Sequence, residues 1–345
     1  MRIFLASYQS LMLNRGGPTY KVLHLKKALE KLQVDIKYFD MWDFEMKLEK
    51  DDLVHIFNAG ISTYSLAKNL TAYGAKYVVN PIFFSNHSAP ILRGYQNLDI
   101  FFRKFLIRSH SDYSITKEIC NGAEKVLPNT IAEGELLRKG LLVNNAKIRV
   151  IHNGVEERFA NADPALFEKK YGLKDFILYV GHLGPDRKNG INIIKSLQKI
   201  DHPSVIIADV LHNKEGEWCR NEIQKCKNIK LIEWLNHDDP LFASAYAACH
   251  TFILPTKYET PGRSALEASL AGANIVITPK GGTKEYFKDL AFYPDPGSVD
   301  SIQKSISDAL DSSKTDKLKD HIMKNFIWSV IAEETLEMYK TILEK

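Results

Sequence analysis

The chain has 345 residues, of which 45% are hydrophobic and 26% charged, a composition typical of a globular protein with two domains. No apolar run approaches the roughly 20 residues that span a bilayer, so we expect no transmembrane helix. The four cysteines show neither CxxC spacing nor clustering with histidines, which favours free thiols in a reducing cytoplasm over a metal site or a disulfide.

Charge is unevenly distributed along the sequence. The formal net charge is +4, but residues 1–153 hold 21 Lys and Arg against 14 Asp and Glu, a net charge of +7, and the remainder carries −3. A basic first half indicates an anionic partner for that half. Nucleic acid is a poor fit, because the net charge is modest and no known nucleic-acid-binding module is evident.

The predicted elements alternate between short β-rich runs and longer helical stretches. The opening stretch 1–13 is interrupted by polar residues at 7–10 and no clear cleavage site follows, so we interpret residues 2–6 as a buried strand rather than part of a signal peptide. A helix is predicted over 18–32, with Val22, Leu25, Leu29 and Leu32 on one face. Further strand-like runs follow at 35–39, 53–58, 76–84, 125–130 and 148–155.

A second series of strands restarts after residue 172. Its members are residues 176–181, 204–210, 229–234, 250–255 and 274–278, with helical patterns between them and a long amphipathic helix at 326–345. Nearly continuous apolar strands alternating with helices predict parallel sheets covered on both faces. We therefore expect an α/β protein with a first domain over 1–155, a second over 173–320 and a C-terminal helical segment over 321–345.

Three junctions between strands and helices carry glycines: residues 14–19, 260–265 and 279–286. Ligands of open parallel sheets bind at the carboxyl ends of the strands, where such junctions lie. In the second junction, Thr260 is the predicted N-cap, Pro261 the first helical residue and Gly272 the terminator. The amides of Gly262 and Arg263 would then face an anion such as phosphate.

Glu259 and Glu267 flank this junction, with seven residues between them. Spacing alone leaves two interpretations open, a binding site or two solvated acids beside a helix start. A second phosphate-binding candidate lies upstream, where Arg187 and Lys188 follow a predicted strand. Taken alone, that pair also fits a solvated basic turn.

Four segments together resemble one known family. "PTKYETPGRSALEASLAGANIVITPKGGTKEY" resembles the donor site of retaining GT-B glycosyltransferases of the GT4 type (glycosyltransferase group 1), with Glu, seven residues, Glu, and then a Gly-Gly turn. "VGHLGPDRKNG" resembles that family's phosphate-binding strand end, "VIHNGVEERF" its interdomain segment, and "GGPTYKVLHLKKAL" its amino-terminal glycine loop, Gly16 and Gly17, with the first helix. The segments occur in order and span nearly the whole chain.

The resemblance implies two Rossmann-like domains with parallel sheets facing across a cleft, and a final helix that returns to the first domain. It assigns the second domain a nucleotide-diphosphate sugar, for which we expect a UDP- or GDP-sugar and no cofactor. No DxD-type metal motif is evident in the sequence, so we expect no metal requirement. By position, Glu267 would bind the ribose, Glu259 the sugar, and Lys188 the diphosphate beside Gly262 and Arg263. Glu285, after the turn of Gly281 and Gly282, would support the sugar.

Two positions depart from the family pattern. His182 stands where the family usually has Arg, so the phosphate site is weaker unless Arg187 substitutes. Asn80 stands where many members have His at the end of an early strand, and His87 follows seven residues later, either as a displaced equivalent or as a surface histidine. Retention in the family is ascribed to same-face attack assisted by the leaving phosphate, so the loss of that histidine need not abolish activity.

The first domain is expected to hold a glycan, lipid-linked or other acceptor. Residues 91–110 mix Arg93, Arg103, Lys104 and Arg108 with aromatic and aliphatic side chains. Such a stretch fits peripheral contact of a cytoplasmic protein with the anionic inner face of a membrane; a packed helix with a solvated basic edge is the alternative.

Three functions therefore compete. A retaining glycosyltransferase of cell-surface polysaccharide or glycoconjugate synthesis is favoured. A non-catalytic GT-B subunit that binds nucleotide sugar or a partner is the alternative, because of His182 and Asn80. A dehydrogenase is disfavoured, since no GxGxxG follows the first strand. Residues 232–240 are expected near the base, but nothing in them identifies it.

Overall fold

The computed structural model of the protein describes residues 2–13, 16–85, 87–103, 111–233 and 235–344. The chain folds into two compact units, one formed by Met1–Gly154 with Trp328–Lys345 and the other by Val155–Ile327. Each unit has its own parallel sheet and its own hydrophobic core.

In the first unit the described residues form a sheet of five parallel strands in the order β2-β1-β3-β4-β5. The strands are β1 (Arg2–Ala6), β2 (Asp35–Tyr38), β3 (Asp52–Phe57), β4 (Lys76–Asn80) and β5 (Lys125–Val126). The helices before the second unit are α1 (Gly17–Lys31), α2 (Ile61–Tyr73), α3 (Ala89–Arg103), α4 (Asp112–Gly122) and α5 (Ile131–Gly140). A 3₁₀ turn follows at Asn145–Lys147.

Alternation of side chains explains why β1 is apolar on both of its faces. Ile3 and Leu5 of β1 point into one core cluster, and Phe4 and Ala6 point into another on the opposite face. Successive residues of a strand face opposite sides, so helices on both sides require apolar residues at every position. The prediction of a buried first strand is confirmed.

The second unit repeats the architecture, with the described strands in the order β10-β9-β6-β7-β8. The strands are β6 (Phe176–Leu183), β7 (Ser204–Val210), β8 (Ile229–Glu233), β9 (Cys249–Leu254) and β10 (Asn274–Ile277). The helices are α6 (Ala165–Tyr171), α7 (Gly190–Leu197), α8 (Lys214–Gln224), α9 (Pro240–Ala248), α10 (Arg263–Leu270), α11 (Thr283–Phe287), α12 (Val299–Leu310) and α13 (Asp316–Asn325). Two 3₁₀ turns lie at Glu157–Asn161 and Asp186–Lys188. The predicted α/β class with two parallel sheets is confirmed.

The last helix, α14 (Trp328–Leu343), belongs to the first unit. Its residues Ile331, Met338 and Tyr339 are buried in the same cluster as Val22 and Leu25 of α1. The 3.6-residue period places these side chains on one face of each helix.

Two predicted strands are shorter in the structure. The run 76–84 ends as a strand at Asn80, because Pro81 has no amide hydrogen and Ile82 adopts a left-handed backbone with φ +53°. The run 125–130 keeps two strand residues, and 148–155 makes only isolated bridges, at Ile148 and Val155.

The limits of the second unit also differ from the predicted domain. Residues 155–172, expected to join the domains, belong to this unit, where Phe159 and Phe167 are fully buried in its core. Within the described part of the chain, no helix combines the length and apolarity needed to cross a bilayer.

Candidate functional site

The turns that follow β6, β9 and β10 meet at one edge of the second sheet. β9 lies between β6 and β10, and all three run parallel, so their carboxyl ends leave the sheet on the same side. The three turns carry most of the residues predicted to bind the donor.

Glu259 is the centre of this group. Its carboxylate is buried, and Oε1 accepts hydrogen bonds from Lys188 Nζ at 2.7 Å and from Arg187 Nη1 at 3.1 Å. Arg187 also donates to the carbonyl of Tyr258 at 3.2 Å. The structure therefore brings together a carboxylate and two cations that the sequence places about 70 residues apart.

The two cations determine the protonation state of this carboxyl. Burial alone would raise the pKa of Glu259, but the charges of Lys188 and Arg187 and the hydrogen bond from Lys188 outweigh it. The net result is a pKa below the ordinary value of 4.5. Glu259 is thus an anion at neutral pH and can accept hydrogen bonds from sugar hydroxyls.

The Gly281–Gly282 turn fixes the backbone of Glu259. The Glu259 amide donates to Lys280 O at 3.1 Å, and Gly282 N donates to Glu259 O at 3.0 Å. Gly281 has φ +105°, and a Cβ there would lie 2.0 Å from Glu259 O, so only glycine fits. Gly281 and Gly282, which the resemblance singles out, therefore position the Glu259 carboxylate through its backbone.

Helix α10 starts later than predicted. Gly262 adopts a left-handed backbone with φ +89°, which a helix cannot contain, and the first helical residue is Arg263. The prediction that Thr260 caps the helix and Pro261 begins it is therefore wrong. The prediction for the other end is confirmed: the helix ends at Leu270, and Gly272 follows with φ +85°.

Glu267, on α10, is buried and already holds three donors. Oε1 accepts from His237 Nε2 at 3.0 Å and pairs with Arg263 Nε at 3.1 Å, while Oε2 accepts from the Tyr246 hydroxyl at 2.8 Å. Burial raises the pKa of this carboxyl, but the Arg263 charge and the bonds from His237 and Tyr246 lower it to about 2. A carboxylate has about four acceptor positions, so one is left for a ligand hydroxyl.

His237 and Arg158 form the outer part of this network, and sequence reasoning missed both. Arg158 Nη2 lies 3.1 Å from His237 Nδ1 and donates to His237 O at 2.7 Å. Since a guanidinium only donates, Nδ1 accepts and the imidazole proton sits on Nε2, directed at Glu267. His237 belongs to the stretch 232–240 expected near the base, and the structure links that stretch to Glu267.

His182 ends its strand half-exposed, with Nε2 4.0 Å from Asp209 Oδ2. Burial lowers its pKa below the ordinary 6.5, and the charges of Lys188 and Arg187 lower it further against the opposing effect of Asp209. The imidazole is therefore neutral at pH 7. Arg187 is the second cation at this edge, beside Lys188. Its substitution for the arginine that the family has in place of His182 stays a prediction.

Asn189 is another residue that the sequence analysis missed. Its backbone is left-handed, with φ +60°, and its Nδ2 donates to Pro255 O and Pro296 O, each at 2.8 Å. This side chain joins the turn that carries Lys188 to the end of β9. A rigid connection of this kind holds the cation opposite Glu259.

Glu285 lies in the first turn of α11, half-buried, and its amide donates to Gly282 O at 3.1 Å. Its place next to the Gly281–Gly282 turn agrees with the position that the resemblance gives it. Its contact with a sugar stays a prediction.

In the first unit, Gly16 caps α1 and its amide donates to Thr19 Oγ1 at 3.2 Å, while Gly17 begins the helix and is exposed. Asn80 is buried, and its Nδ2 donates to Leu127 O. Asn80 thus joins the end of β4 to the segment after β5, which does not favour a catalytic role. His87 is exposed, with its ring 5.5 Å from that of Tyr95, as expected for a surface histidine.

A buried ionisable pair lies near Asn80. Lys21 Nζ donates to Asn129 Oδ1, and Glu133 accepts the amides of Phe83 and Asn129, each at 2.7 Å. Burial lowers the pKa of Lys21 to about 7 and raises the pKa of Glu133 to about 7, in each case against their mutual attraction. The sequence analysis did not identify this pair.

Comparison with known proteins gives this geometry a context. Residues 166–325, most of the second unit, match the family model described as Glycosyl transferases group 1. The chain is 25% identical over 219 residues to an uncharacterized glycosyltransferase of Methanocaldococcus jannaschii, covering 57% of this chain and 55% of that protein. It is 24% identical over 190 residues to the O-antigen chain mannosyltransferase B of Escherichia coli, covering 52% and 49%. The chain spans about half the length of the curated relatives it matches.

Solved structures match over almost the full chain. A glycosyltransferase of Rickettsia africae gives a TM-score of 0.74 at 17% identity, covering 100% of this chain and 99% of that chain. The sucrose-phosphate synthase of Thermosynechococcus elongatus gives 0.75 at 15%, covering 100% of both. HepE of Anabaena, solved with UDP, gives 0.69 at 16%, covering 99% and 100%. At such identities the likeness establishes the fold, and the predicted GT-B class is confirmed.

Proposed function

We propose that this chain, whose residues 166–325 match the group 1 glycosyltransferases, moves a sugar from a nucleotide-diphosphate sugar to an acceptor hydroxyl. The reaction proposed retains the anomeric configuration and uses no metal ion. The observation that carries the proposal is the buried carboxylate of Glu259 bonded to Lys188 and Arg187 at the carboxyl ends of β6 and β9.

The cluster offers what a sugar diphosphate needs. Lys188 and Arg187 supply two positive charges, and the start of α10 adds backbone amides at the positive end of the helix dipole. When a diphosphate enters, the two cations pair with its oxygens, and the Glu259 carboxylate is released to accept bonds from the sugar hydroxyls. The fourth acceptor position of Glu267 takes a ribose hydroxyl.

Transfer then breaks the bond between the anomeric carbon and the diphosphate oxygen and forms a bond to the acceptor oxygen. The electron pair leaves with the diphosphate, whose negative charge Lys188 and Arg187 stabilise. The acceptor proton passes to the departing phosphate oxygen, which lies on the same face of the sugar, so the configuration is retained. None of these steps needs a protein general base, in keeping with the buried Asn80.

The donor proposed is a UDP- or GDP-sugar. HepE, a structural neighbour, has been solved with UDP and with UDP-glucose, and a curated relative is named an O-antigen chain mannosyltransferase. The acceptor proposed is a glycan or lipid-linked saccharide of cell-surface polysaccharide synthesis, bound by the first unit.

A nucleotide screen tests the donor site. We expect UDP or GDP to raise the melting temperature of the chain above that seen with ADP or CDP, since a ligand of the native state stabilises it. The matching UDP- or GDP-sugars are then incubated with the protein, and release of the diphosphate is followed by chromatography. Proton NMR of the transferred sugar reports its anomeric configuration. If none of the four nucleotides shifts the melting temperature, the proposal fails.

A non-catalytic subunit that binds nucleotide sugar is the second candidate. A neutral His182 and a buried Asn80 favour it, because both weaken the site relative to the family pattern. Donor hydrolysis that Glu259→Ala abolishes and Glu217→Ala preserves would dismiss this candidate. Glu217 is an exposed carboxylate of the same unit and serves as the matched control.

A further inference from the structure

Helix α3 turns an apolar face to the solvent. Ile91, Tyr95, Leu98 and Phe101 follow one another at spacings of four, three and three residues, which places them on one stripe of the helix. Each of these side chains is between 44% and 56% exposed. We call these four residues the outer face of α3. A soluble helix normally buries such a stripe.

The opposite face of α3 is buried: it packs Leu92 into the hydrophobic core and is held by specific polar bonds. Gln96 is buried, donates to Gly140 O at 3.0 Å and accepts from Lys117 Nζ at 2.9 Å. Asp99 is buried and accepts from the Ser111 hydroxyl at 2.9 Å. Rolling the helix to hide its apolar stripe would break these bonds and cost buried polar groups their partners. The outward orientation is therefore built into the fold.

Exposed apolar side chains are concentrated in the first unit as a whole. Among the described residues, 14 of the 17 large hydrophobic side chains that are exposed belong to this unit, although the two units are nearly equal in length. Single exposed hydrophobics are normal, so the four that share one stripe of α3 are the informative ones.

Charge distinguishes the outer face of α3 from the other exposed apolar segment of this unit. Arg93 is exposed beside the stripe, and Asp99, the one acid of α3, is buried. In sequence, basic residues continue at Arg103, Lys104 and Arg108, the last two outside the described residues. Trp42 and Phe44 are also exposed, but residues 40–52 around them hold six acids against two lysines. An anionic surface is attracted to α3 and repelled by residues 40–52.

We infer that the outer face of α3 docks on an anionic lipid bilayer, with its apolar side chains in the interfacial region and Arg93 beside the lipid phosphates. A convex ridge of half-exposed side chains suits a deformable bilayer, whereas a protein partner would need a matching groove. The exposure of the apolar stripe argues against a packed helix with a solvated basic edge. The inference does not depend on sugar transfer.

Vesicle flotation tests this inference on the full chain. We expect the protein to float with vesicles of phosphatidylcholine and phosphatidylglycerol, less with phosphatidylcholine alone, and less at high salt. Leu98→Gln, which keeps helix propensity, should weaken partitioning roughly tenfold, and Arg93→Gln about fivefold on anionic vesicles only. Ile91→Gln is the second apolar variant, in case Leu98→Gln lowers the melting temperature.

Phe44→Gln is the matched control, because it removes a more exposed hydrophobic from the acidic segment. It should float like the unmodified chain. The inference is overturned if the unmodified chain stays with the soluble fraction, or if Phe44→Gln weakens binding as much as Leu98→Gln does. It is also overturned if light scattering shows a dimer that Leu98→Gln dissociates and no vesicle binding, which would make a second copy the occupant.

Discussion

Replacing Glu267 by glutamine should destabilise the protein even with no ligand present. The carboxylate is buried and holds Arg263, His237 and Tyr246, and its pKa of about 2 lies about 2.5 units below the ordinary 4.5. At roughly 1.4 kcal/mol per unit, the folded state gains about 3 kcal/mol from the charged form. An amide in its place would also turn an N–H group towards three donors.

The sign of this contribution follows from the depressed pKa. It is fully present above pH 4.5, where the unfolded carboxyl is also ionised, and it is lost as the pH falls towards 2. At pH 7 the whole contribution is therefore at stake. For a unit of this size, about 3 kcal/mol corresponds to a fall in melting temperature of roughly 6–12 °C.

Urea denaturation at pH 7, followed by circular dichroism, measures the effect on Glu267→Gln beside Glu217→Gln. The control replaces an exposed carboxylate of the same unit and should change stability by less than about 1 kcal/mol. Equal stability of Glu267→Gln and the unmodified chain, together with lost nucleotide affinity, would refute the reasoning. The carboxylate would then serve the ligand alone and not the three side chains around it.

Three further predictions concern the phosphate and sugar end of the site. Gly281→Ala should lower donor turnover at least tenfold, because the new Cβ would displace the carbonyl oxygen of Glu259. The affinity for the nucleoside diphosphate should be largely kept. Equal turnover of the variant and the unmodified chain in a hydrolysis assay would contradict this prediction. Lys188→Met should weaken nucleoside diphosphate binding by about 2 kcal/mol in calorimetry, whereas the exposed Lys199→Met should not. His182→Arg should tighten that binding at pH 7, where the imidazole is neutral. In the unmodified chain, affinity should rise as the pH falls through the lowered pKa of His182 and the ring gains its proton, and a flat pH profile would count against this prediction.

Much of the fold follows from local patterns. The strands of both sheets are nearly continuous apolar runs because helices cover both faces, and that requirement is visible in the sequence itself. Gly272 could be identified as a helix terminator because an αL position favours glycine. The C-terminal end of β4 and the start of α10 could not be identified from the sequence, because they depend on the backbone angles of Ile82 and Gly262.

The candidate site divides in the same way. Glu259 and Lys188 were selected from motif positions, and the structure brings them to 2.7 Å. His237 and Tyr246 lie in none of the quoted motifs, and only the packing of α9 and α10 brings them to one carboxylate. Arg158 lies in the quoted interdomain segment, which assigns it no role. The only sequence feature at His237 is the pair of aspartates that follows it, and this feature does not indicate that Glu267 is the hydrogen-bond partner of His237.

Because its parts come from distant segments, the donor site has a particular place in folding. Lys188 and Arg187 meet Glu259 across 71 and 72 residues of chain, so β6, β9 and the Gly281–Gly282 turn must all be in place before the cluster exists. Closing loops of that length costs conformational entropy, and only the interactions of the assembled sheet offset this cost. A refolding chain should regain nucleotide binding together with its last β-sheet order and not before. If the chain binds a nucleotide as proposed, the bound nucleotide should slow unfolding and leave the folding rate unchanged.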